Sequence, residues 1–261
     1  MKKKIFKVVV ILISILSVFI FITFTDGWRD LIKKSEKINF YFLIAACACI
    51  CFYWLLESII LHITIKKLYK TQRFYESLKV TMIGQFFNSV TPFATGGQPA
   101  QLYIMVKDGI PANVSASILI VKFIIYQSIL VLYSLFLIIF KSDFFISYLE
   151  HYFIFVIIGF IVNLGVITML FIISRHNKLT VFLIDIYLFI LQKFKLKKDI
   201  KEYELTLKEK LVSYHDNVIL LKSNFKLILS TSLLTILQLT FFNIIPYFIY
   251  LSISSNVSKV D

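Results

Sequence analysis

The amino-acid sequence predicts an all-α, polytopic membrane helix bundle, and composition and patterning both support this fold class. Of its 261 residues, 59% are hydrophobic and only 16% are charged, whereas soluble domains contain about 45–50% apolar and about 25% charged residues. The mean hydropathy is +0.84. The apolar residues form continuous runs, unlike the alternating pattern of a transmembrane β-barrel. This composition argues against a soluble single-domain enzyme and against an intrinsically disordered chain.

Five apolar runs are long enough to cross a bilayer, because about 20 helical residues at ~1.5 Å each span its ~30 Å hydrocarbon core. We expect the first run to be a membrane helix and not a signal peptide, since it is long and no small-residue cleavage site follows it. Pro246 is expected to kink the last run. The runs cover residues 5–24, 38–65, 112–140, 152–173 and 227–253.

Residues 80–106 separate the second and third runs and have the pattern of a helix, a break and a second helix. The apolar pieces of this segment are too short to span a bilayer. Three of the chain's seven glycines and two of its four prolines fall within it. Broken helices occur at membrane depth where they line a cavity or pack inside the protein. The segment is therefore expected to be a re-entrant pair.

The distribution of Lys and Arg favours a re-entrant pair over a single crossing. If the N-terminus is cytoplasmic and residues 80–106 enter and leave on one side, 21 basic residues lie inside and six outside. A single crossing would move the eleven basic residues of 175–226 to the outside, against the positive-inside rule. We therefore expect about five full spans in a multi-pass protein of the cell membrane with a cytoplasmic N-terminus.

The chain is expected to form a single membrane domain over residues 1–261, with a cytoplasmic amphipathic segment at 175–226. Within that segment, apolar residues recur every three or four positions, which predicts an amphipathic helix over residues 199–221. This helix either packs on the bundle with its charged face in solvent or contacts anionic lipid headgroups through its basic residues. The apolar positions are Ile200, Tyr203, Leu207, Leu211, Tyr214, Val218 and Leu221.

No catalytic residue, metal or cofactor is predicted for this chain. The sequence contains no GxGxxG, GxxxxGK[ST], HExxH or GxSxG motif. Its four histidines are scattered and have no metal-ligand spacing. Nucleotide-driven transport therefore has no support in the sequence.

The break within residues 80–106 is the main candidate for substrate binding. Proline and glycine free backbone N–H groups from helical hydrogen bonds, and free N–H groups at the start of a helix can hold an anion such as a phosphate. The alternative is a structural kink whose polar residues satisfy one another. The candidate residues of the segment are Asn88, Thr91, Pro92, Gly96, Gly97, Gln98, Pro99 and Gln101.

Two charged residues inside apolar runs complete the candidate site, namely Lys122 and Glu57. A lysine near mid-bilayer costs ~2.5–3.5 kcal/mol on insertion scales, so Lys122 is expected to have a partner or a wet cavity. That partner is either Glu57 or a lipid phosphate, unless the side chain reaches the interface by snorkelling. We expect Lys122 to complement the same phosphate that the break binds. Glu57 is placed nearer its cytoplasmic helix end, where it is more easily solvated.

The stretch FFNSVTPFATGGQPAQLY, residues 86–103, resembles the lysyl-phosphatidylglycerol synthase transmembrane family, also described as flippase-like domain proteins. The order of spans, the intramembrane basic residue and the long basic cytoplasmic excursion extend the resemblance over nearly the whole chain. Its specific part is the motif made of Asn88, Pro92, Gly96, Gly97 and Pro99.

Two departures from the family pattern accompany this resemblance. Gln98 and Gln101 stand where many members have an acidic and then a basic residue, so no ion pair is expected there. Members also usually continue through more spans, with a second segment rich in proline and glycine. The chain therefore resembles a member that is truncated at its C-terminus.

The resemblance implies two functions. The first is a membrane module that handles or translocates anionic or aminoacylated phospholipid, with phosphatidylglycerol or its lysyl derivative as the partner. The second is a phosphatidylglycerol lysyltransferase, which would take lysine from lysyl-tRNA and contribute to resistance against cationic antimicrobial peptides. The enzyme would require a separate synthase domain, because residues 175–226 are too few to form one. A non-transporting scaffold is a third alternative.

Overall fold

The computed structural model describes residues 38–69, 72–140, 153–175 and 216–254, and regular secondary structure within these ranges is entirely helical. A 3₁₀ turn at Pro92–Ala94 separates the second and third long helices, and residues 216–223 form a short helix. The long helices are α1 (Phe40–Leu68), α2 (Phe74–Val90), α3 (Gly97–Lys107), α4 (Ala112–Phe140), α5 (Phe153–Arg175) and α6 (Phe225–Ser254).

The predicted helical bundle is confirmed in its class, and most of the apolar runs reappear as helices. Among the described residues, α1, α4 and α6 are long and apolar enough to cross a membrane. The apolar part of α5 is shorter, at Ile154–Thr168. Pro246 lies inside α6, which continues past it. The first run, residues 5–24, lies outside the described residues, so the count of five spans stays a prediction.

Residue contacts divide the chain into two units. The first, called unit 1, comprises Met1–Leu55, Met82–Ala100 and Thr240–Asp261. The second, unit 2, comprises Leu56–Thr81 and Gln101–Leu239. The prediction of a single membrane domain is not tested by this division.

In unit 1, α1 and α6 run antiparallel. The N–H of Asn39 donates to the carbonyl oxygen of Ser252 at 2.7 Å, beside the start of α1 and the end of α6. Further along α1, the ring of Phe52 stacks on that of Phe241, with centroids 5.3 Å apart. The residue later in α1 thus contacts the residue earlier in α6, so the two helices run in opposite directions. Aromatic stacking of this kind adds about 0.5–1.5 kcal/mol to the burial of the rings.

In unit 2, several helices each contribute residues near one of their ends to a single apolar cluster. The cluster joins the end of α1, the start of α2, the end of α3, the start of α4 and the start of α6. Its members include Leu61, Ile65, Val80, Met105, Ile110, Ile118, Val218, Leu221 and Leu227. The chain therefore comes back, after the break, to the end of unit 2 from which α2 started.

Two of these buried residues, Val218 and Leu221, belong to the predicted amphipathic segment. Their burial agrees with the alternative in which this helix packs on the bundle. The rest of that helix, residues 199–215, lies outside the described residues.

A polar contact and a helix cap hold the returning end of α3 in place. The Nζ of Lys79, in α2, lies 2.9 Å from both carboxylate oxygens of Asp108, just after α3. The N–H of Ile110 donates to the carbonyl of Met105, and the N–H of Gly109 donates to that of Val106. These two bonds form a Schellman cap, whose glycine takes the left-handed conformation, with φ of +95° for Gly109.

Candidate functional site

The predicted helix, break and helix are present, and they place seven of the ten candidate residues in unit 1. The α2 helix ends at Val90, and α3 begins at Gly97. Gln101, Glu57 and Lys122 belong to unit 2, so each group is described by itself. The seven residues of unit 1 are Asn88, Thr91, Pro92, Gly96, Gly97, Gln98 and Pro99.

A side chain of α2 closes the break by capping the start of α3. The Oδ1 of Asn88 accepts a hydrogen bond from the N–H of Gly97 at 2.9 Å. Gly97 is buried, and a Cβ added there would overlap the Asn88 amide, with Nδ2 only 2.6 Å away. Any residue with a Cβ at position 97 would therefore have to displace the Asn88 amide from its capping position.

Thr91 caps Gly96, the residue before Gly97, in the same way. Its Oγ1 accepts from the N–H of Gly96 at 2.9 Å and donates to the carbonyl oxygen of Phe87 at 2.7 Å. A Cβ at Gly96 would lie 2.6 Å from Thr91 Cγ2 and 3.1 Å from the Phe87 carbonyl oxygen. Both glycines of the pair thus allow a close approach between the end of α2 and the start of α3.

The backbone at the break is also strained at one residue. Ala94, in the 3₁₀ turn, has φ of +54°. A non-glycine residue in this left-handed region costs roughly 1–2 kcal/mol. Pro92 precedes it and presets the turn, because its ring fixes φ.

The start of α3 has few free N–H groups in this structure. Those of Gly96 and Gly97 are bonded to Thr91 and Asn88, Pro99 has none, and that of Ala100 donates to the Gly96 carbonyl at 3.1 Å. A phosphate would reach the first two groups only by displacing their side-chain caps. The binding role of these residues stays a prediction, as does the alternative of a structural kink, with which the caps on Gly96 and Gly97 agree.

The remaining candidates of the segment differ in exposure. Pro92, Gln98 and Pro99 are exposed, and Gln101 is buried in unit 2.

In unit 2, Lys122 and Glu57 form an ion pair. The Nζ of Lys122 lies 2.7 Å from Oε1 of Glu57, and their side chains are 14% and 10% exposed. Of the partners expected for Lys122, the structure therefore has Glu57. The pair joins α4 to α1.

The ion pair lies deep within both helices. Glu57 precedes the end of α1 at Leu68 by about three turns, and Lys122 follows the start of α4 at Ala112 by nearly as many. Each residue is thus ~15 Å along the helix axis from the end of its helix. Glu57 is not the more easily solvated residue that we expected. The reason is that Glu57 is buried where α1 meets α4 and is paired there with Lys122.

Two polar pairs of unit 2 were missed by the sequence analysis. One is the Lys79–Asp108 pair, which joins α2 to the residue just after α3. The other is a side-chain hydrogen bond from Gln127 of α4 to Asn163 of α5, whose Nδ2 also donates to the carbonyl of Gly159. An amide inside each of two apolar runs was the available signal, because such groups need partners in lipid.

A family model described as Lysylphosphatidylglycerol synthase TM region matches residues 5–260 of the chain. The match covers nearly the whole sequence and confirms the family to which the motif around the break points. No curated protein and no solved structure matches the chain.

Proposed function

The chain belongs to the lysylphosphatidylglycerol synthase TM region family, and on this premise we propose that it binds anionic phospholipid and moves it between the leaflets of the cell membrane. The proposed substrate is phosphatidylglycerol or its lysyl derivative. Three apolar helices of membrane-spanning length support a membrane setting. The cytoplasmic N-terminus is part of the proposal and rests on the distribution of basic residues.

The broken tip formed by Asn88, Thr91, Gly96 and Gly97 carries this proposal. In lipid, an unsatisfied backbone N–H costs several kcal/mol. The N–H groups freed by the break therefore need hydrogen-bond acceptors both with and without a bound headgroup. Asn88 and Thr91 provide them when no headgroup is bound. A headgroup phosphate, which is a stronger acceptor than a neutral amide or hydroxyl, exchanges with these caps at the start of α3.

Lys122 and Glu57 have a second role in the proposal. A buried lysine and its carboxylate partner are each costly without the other. An anionic headgroup that passes Lys122 takes the place of Glu57 as counter-ion and gives that place back when it leaves. Lys122 keeps a counter-ion during passage, while the released Glu57 carboxylate needs water or another partner, because a buried charge without one is costly. We predict that this phosphate is the same one that the break binds.

The family description favours a second function, because it names a synthase. As a phosphatidylglycerol lysyltransferase, the chain would act with a separate synthase domain or with lysyl-tRNA as donor. Lysyl-phosphatidylglycerol carries less negative charge than its precursor, so its synthesis and its display in the outer leaflet both weaken binding of cationic peptides.

Measurement of lysyl-phosphatidylglycerol in cells separates these functions. Cells with and without the chain are compared for the total amount of the lipid and for its fraction in the outer leaflet. Translocation changes the outer fraction at constant total, whereas synthesis changes the total. If neither quantity changes, the chain neither makes nor moves the lysyl lipid, and the vesicle measurement then decides between translocation of phosphatidylglycerol itself and a scaffold.

The purified chain offers the direct test. We expect vesicles that contain it to expose fluorescent phosphatidylglycerol from the inner leaflet to a membrane-impermeant quencher, at a rate well above that of empty vesicles. We also expect no lysyl-phosphatidylglycerol when lysyl-tRNA is added. Formation of the lysyl lipid by the purified chain would make the enzyme the correct assignment.

A further inference from the structure

Unit 2 contains a basic hollow that none of the preceding functions uses. It is shallow and largely open, has a volume of about 310 Å³, and lies between the end of α1 and the start of α6. Lys66, Lys67 and Lys226 line it, together with the polar side chains of Asn224 and Ser230. Within the part of the chain that the structure describes, no acidic residue lines the hollow.

The three lysines lack a carboxylate partner among the described residues, where the ion pairs are Lys79–Asp108 and Lys122–Glu57. All three are exposed. The positive-inside rule accounts for lysines at this end of the helices, but it does not account for their convergence on one hollow. Like charges brought together repel one another unless an anion lies between them.

The start of α6 adds to the positive potential of the hollow. Lys226 is the second residue of α6, where the helix dipole is positive and a cation is disfavoured. Asn224 caps this helix, since its Oδ1 accepts from the N–H of Leu227 at 2.9 Å. Lys226 therefore occupies a position that is unfavourable for a lysine on electrostatic grounds, and a bound anion would offset this repulsion because it attracts both the ammonium group and the helix start.

We propose that this hollow binds the phosphate group of an anionic ligand, supplied by a phospholipid headgroup or by a soluble phosphate ester. Its volume is at the lower end of the ~300–1,000 Å³ typical of small-ligand sites. Basic pockets between membrane helices at a cytoplasmic surface suit phosphorylated headgroups. The proposal goes beyond lipid translocation, because a chain that moves no lipid would still bind phosphate here.

The test is retention of phosphatidylglycerol by the purified full chain in detergent, measured by native mass spectrometry. The double variant Lys66→Gln/Lys226→Gln is compared with the control Arg73→Gln/Lys107→Gln, which removes the same charge from exposed residues outside the hollow. We expect the first variant to bind phosphatidylglycerol in the hollow at least tenfold more weakly, as for loss of a charge-assisted hydrogen bond, and to retain one lipid fewer, because the sites proposed at the break and at Lys122 are unchanged. The control should change binding less than about twofold, because its residues make no direct contact with the ligand.

A competition arm distinguishes the two sources of phosphate. If glycerol 3-phosphate displaces the lipid and its binding also requires Lys66 and Lys226, the site accepts soluble phosphate esters. If it does not displace the lipid but the dependence on the two lysines holds, the ligand is a phospholipid. Equal losses in the lysine variant and the control, or no loss in either, would overturn the proposal. The single variants Lys66→Gln and Lys226→Gln give the same comparison if the double variant does not fold.

Discussion

At the scale of single residues, Asn88 links the structure of the break to its proposed binding role. Its amide occupies the space beside Gly97 and caps the Gly97 N–H. A substitution such as Gly97→Val would displace this amide and uncap α3, so loss of transport would not by itself identify a headgroup site. Substitutions of Asn88 itself separate the structural role from the binding role.

We predict that Asn88→Asp folds normally and moves anionic lipid at least tenfold more slowly than the unmodified chain. The carboxylate keeps the acceptor for the Gly97 N–H, but its charge repels a phosphate at the same helix start. Asn88→Ala should instead lose about 1 kcal/mol or more of stability, since the cap is gone. Thermal unfolding in detergent and lipid transfer in vesicles are the two measurements. Normal transfer of phosphatidylglycerol by Asn88→Asp would show that the break is structural.

The ion pair gives a second prediction at this scale. From the sequence alone, Lys122→Met is expected to insert normally, because it adds no polar group to lipid. The structure changes this expectation, because the substitution leaves Glu57 buried without its partner. We predict that Lys122→Met loses about 3–5 kcal/mol of stability, as when one member of a buried pair is removed.

The double variant Glu57→Leu/Lys122→Met is the matched control for that prediction. It removes both charges and should recover most of the lost stability, since apolar replacements of buried pairs are often neutral or stabilising. If charge exchange with a headgroup is needed, the double variant folds but transfers anionic lipid more slowly. Full transfer by a well-folded double variant would assign the pair a structural role alone.

At the scale of elements, the α2–α3 hairpin depends on how α3 ends. The turn at Gly109 needs a left-handed residue, and the cap it forms places Ile110 against the unit 2 cluster. The Lys79–Asp108 pair holds the same end but is partly exposed, with side-chain exposures of 41% and 22%. Exposed pairs contribute ~0–1 kcal/mol, so the glycine is expected to be the more important of the two.

We predict that Gly109→Ala destabilises the protein by about 1–2 kcal/mol, because a side chain is disfavoured at positive φ. Gly165→Ala in α5 is the control, since a Cβ there meets no atom within 4 Å. This second variant should be neutral or slightly stabilising, as alanine is the better helix former. Equal unfolding temperatures for Gly109→Ala and the unmodified protein would contradict the cap.

At the scale of the whole molecule, the side of the membrane on which each later loop lies depends on whether residues 80–106 cross the bilayer or return to the side from which they enter. In unit 2, the end of α1, both outer ends of the hairpin and the starts of α4 and α6 share one apolar cluster. This arrangement is what a re-entrant pair requires. It also agrees with the division of basic residues, which was derived without any contact information.

We predict that reporter fusions after Gly109, Lys141 and Lys197 report inside, outside and inside. A single crossing by residues 80–106 would instead place a reporter after Gly109 outside. A control fusion after Arg73, just before the hairpin, should report inside in both arrangements. The observation that the reporters after Arg73 and Gly109 lie on opposite sides would rule out the re-entrant pair.

Much of the fold could be predicted because the signals are local. The ends of α4 agree with the predicted run at both termini, and the break falls where proline and glycine interrupt helical hydrogen bonding. The end of α1 was placed three residues too early. Hydropathy falls at Lys66 and Lys67, although a helix readily extends through lysines at its C-terminal end.

The sequence by itself determined the class of fold, the helix–break–helix pattern and the family, because hydrophobic run length and the backbone limits of proline and glycine are properties of short stretches. Only the tertiary structure decided which partners the polar groups take. It paired Lys122 with Glu57, 65 positions away, and it turned the Asn88 amide onto Gly97. It also brought Lys66 and Lys226 to one hollow. Such choices depend on how helices pack, and competing partners of similar chemistry cannot be ranked before their distances are known.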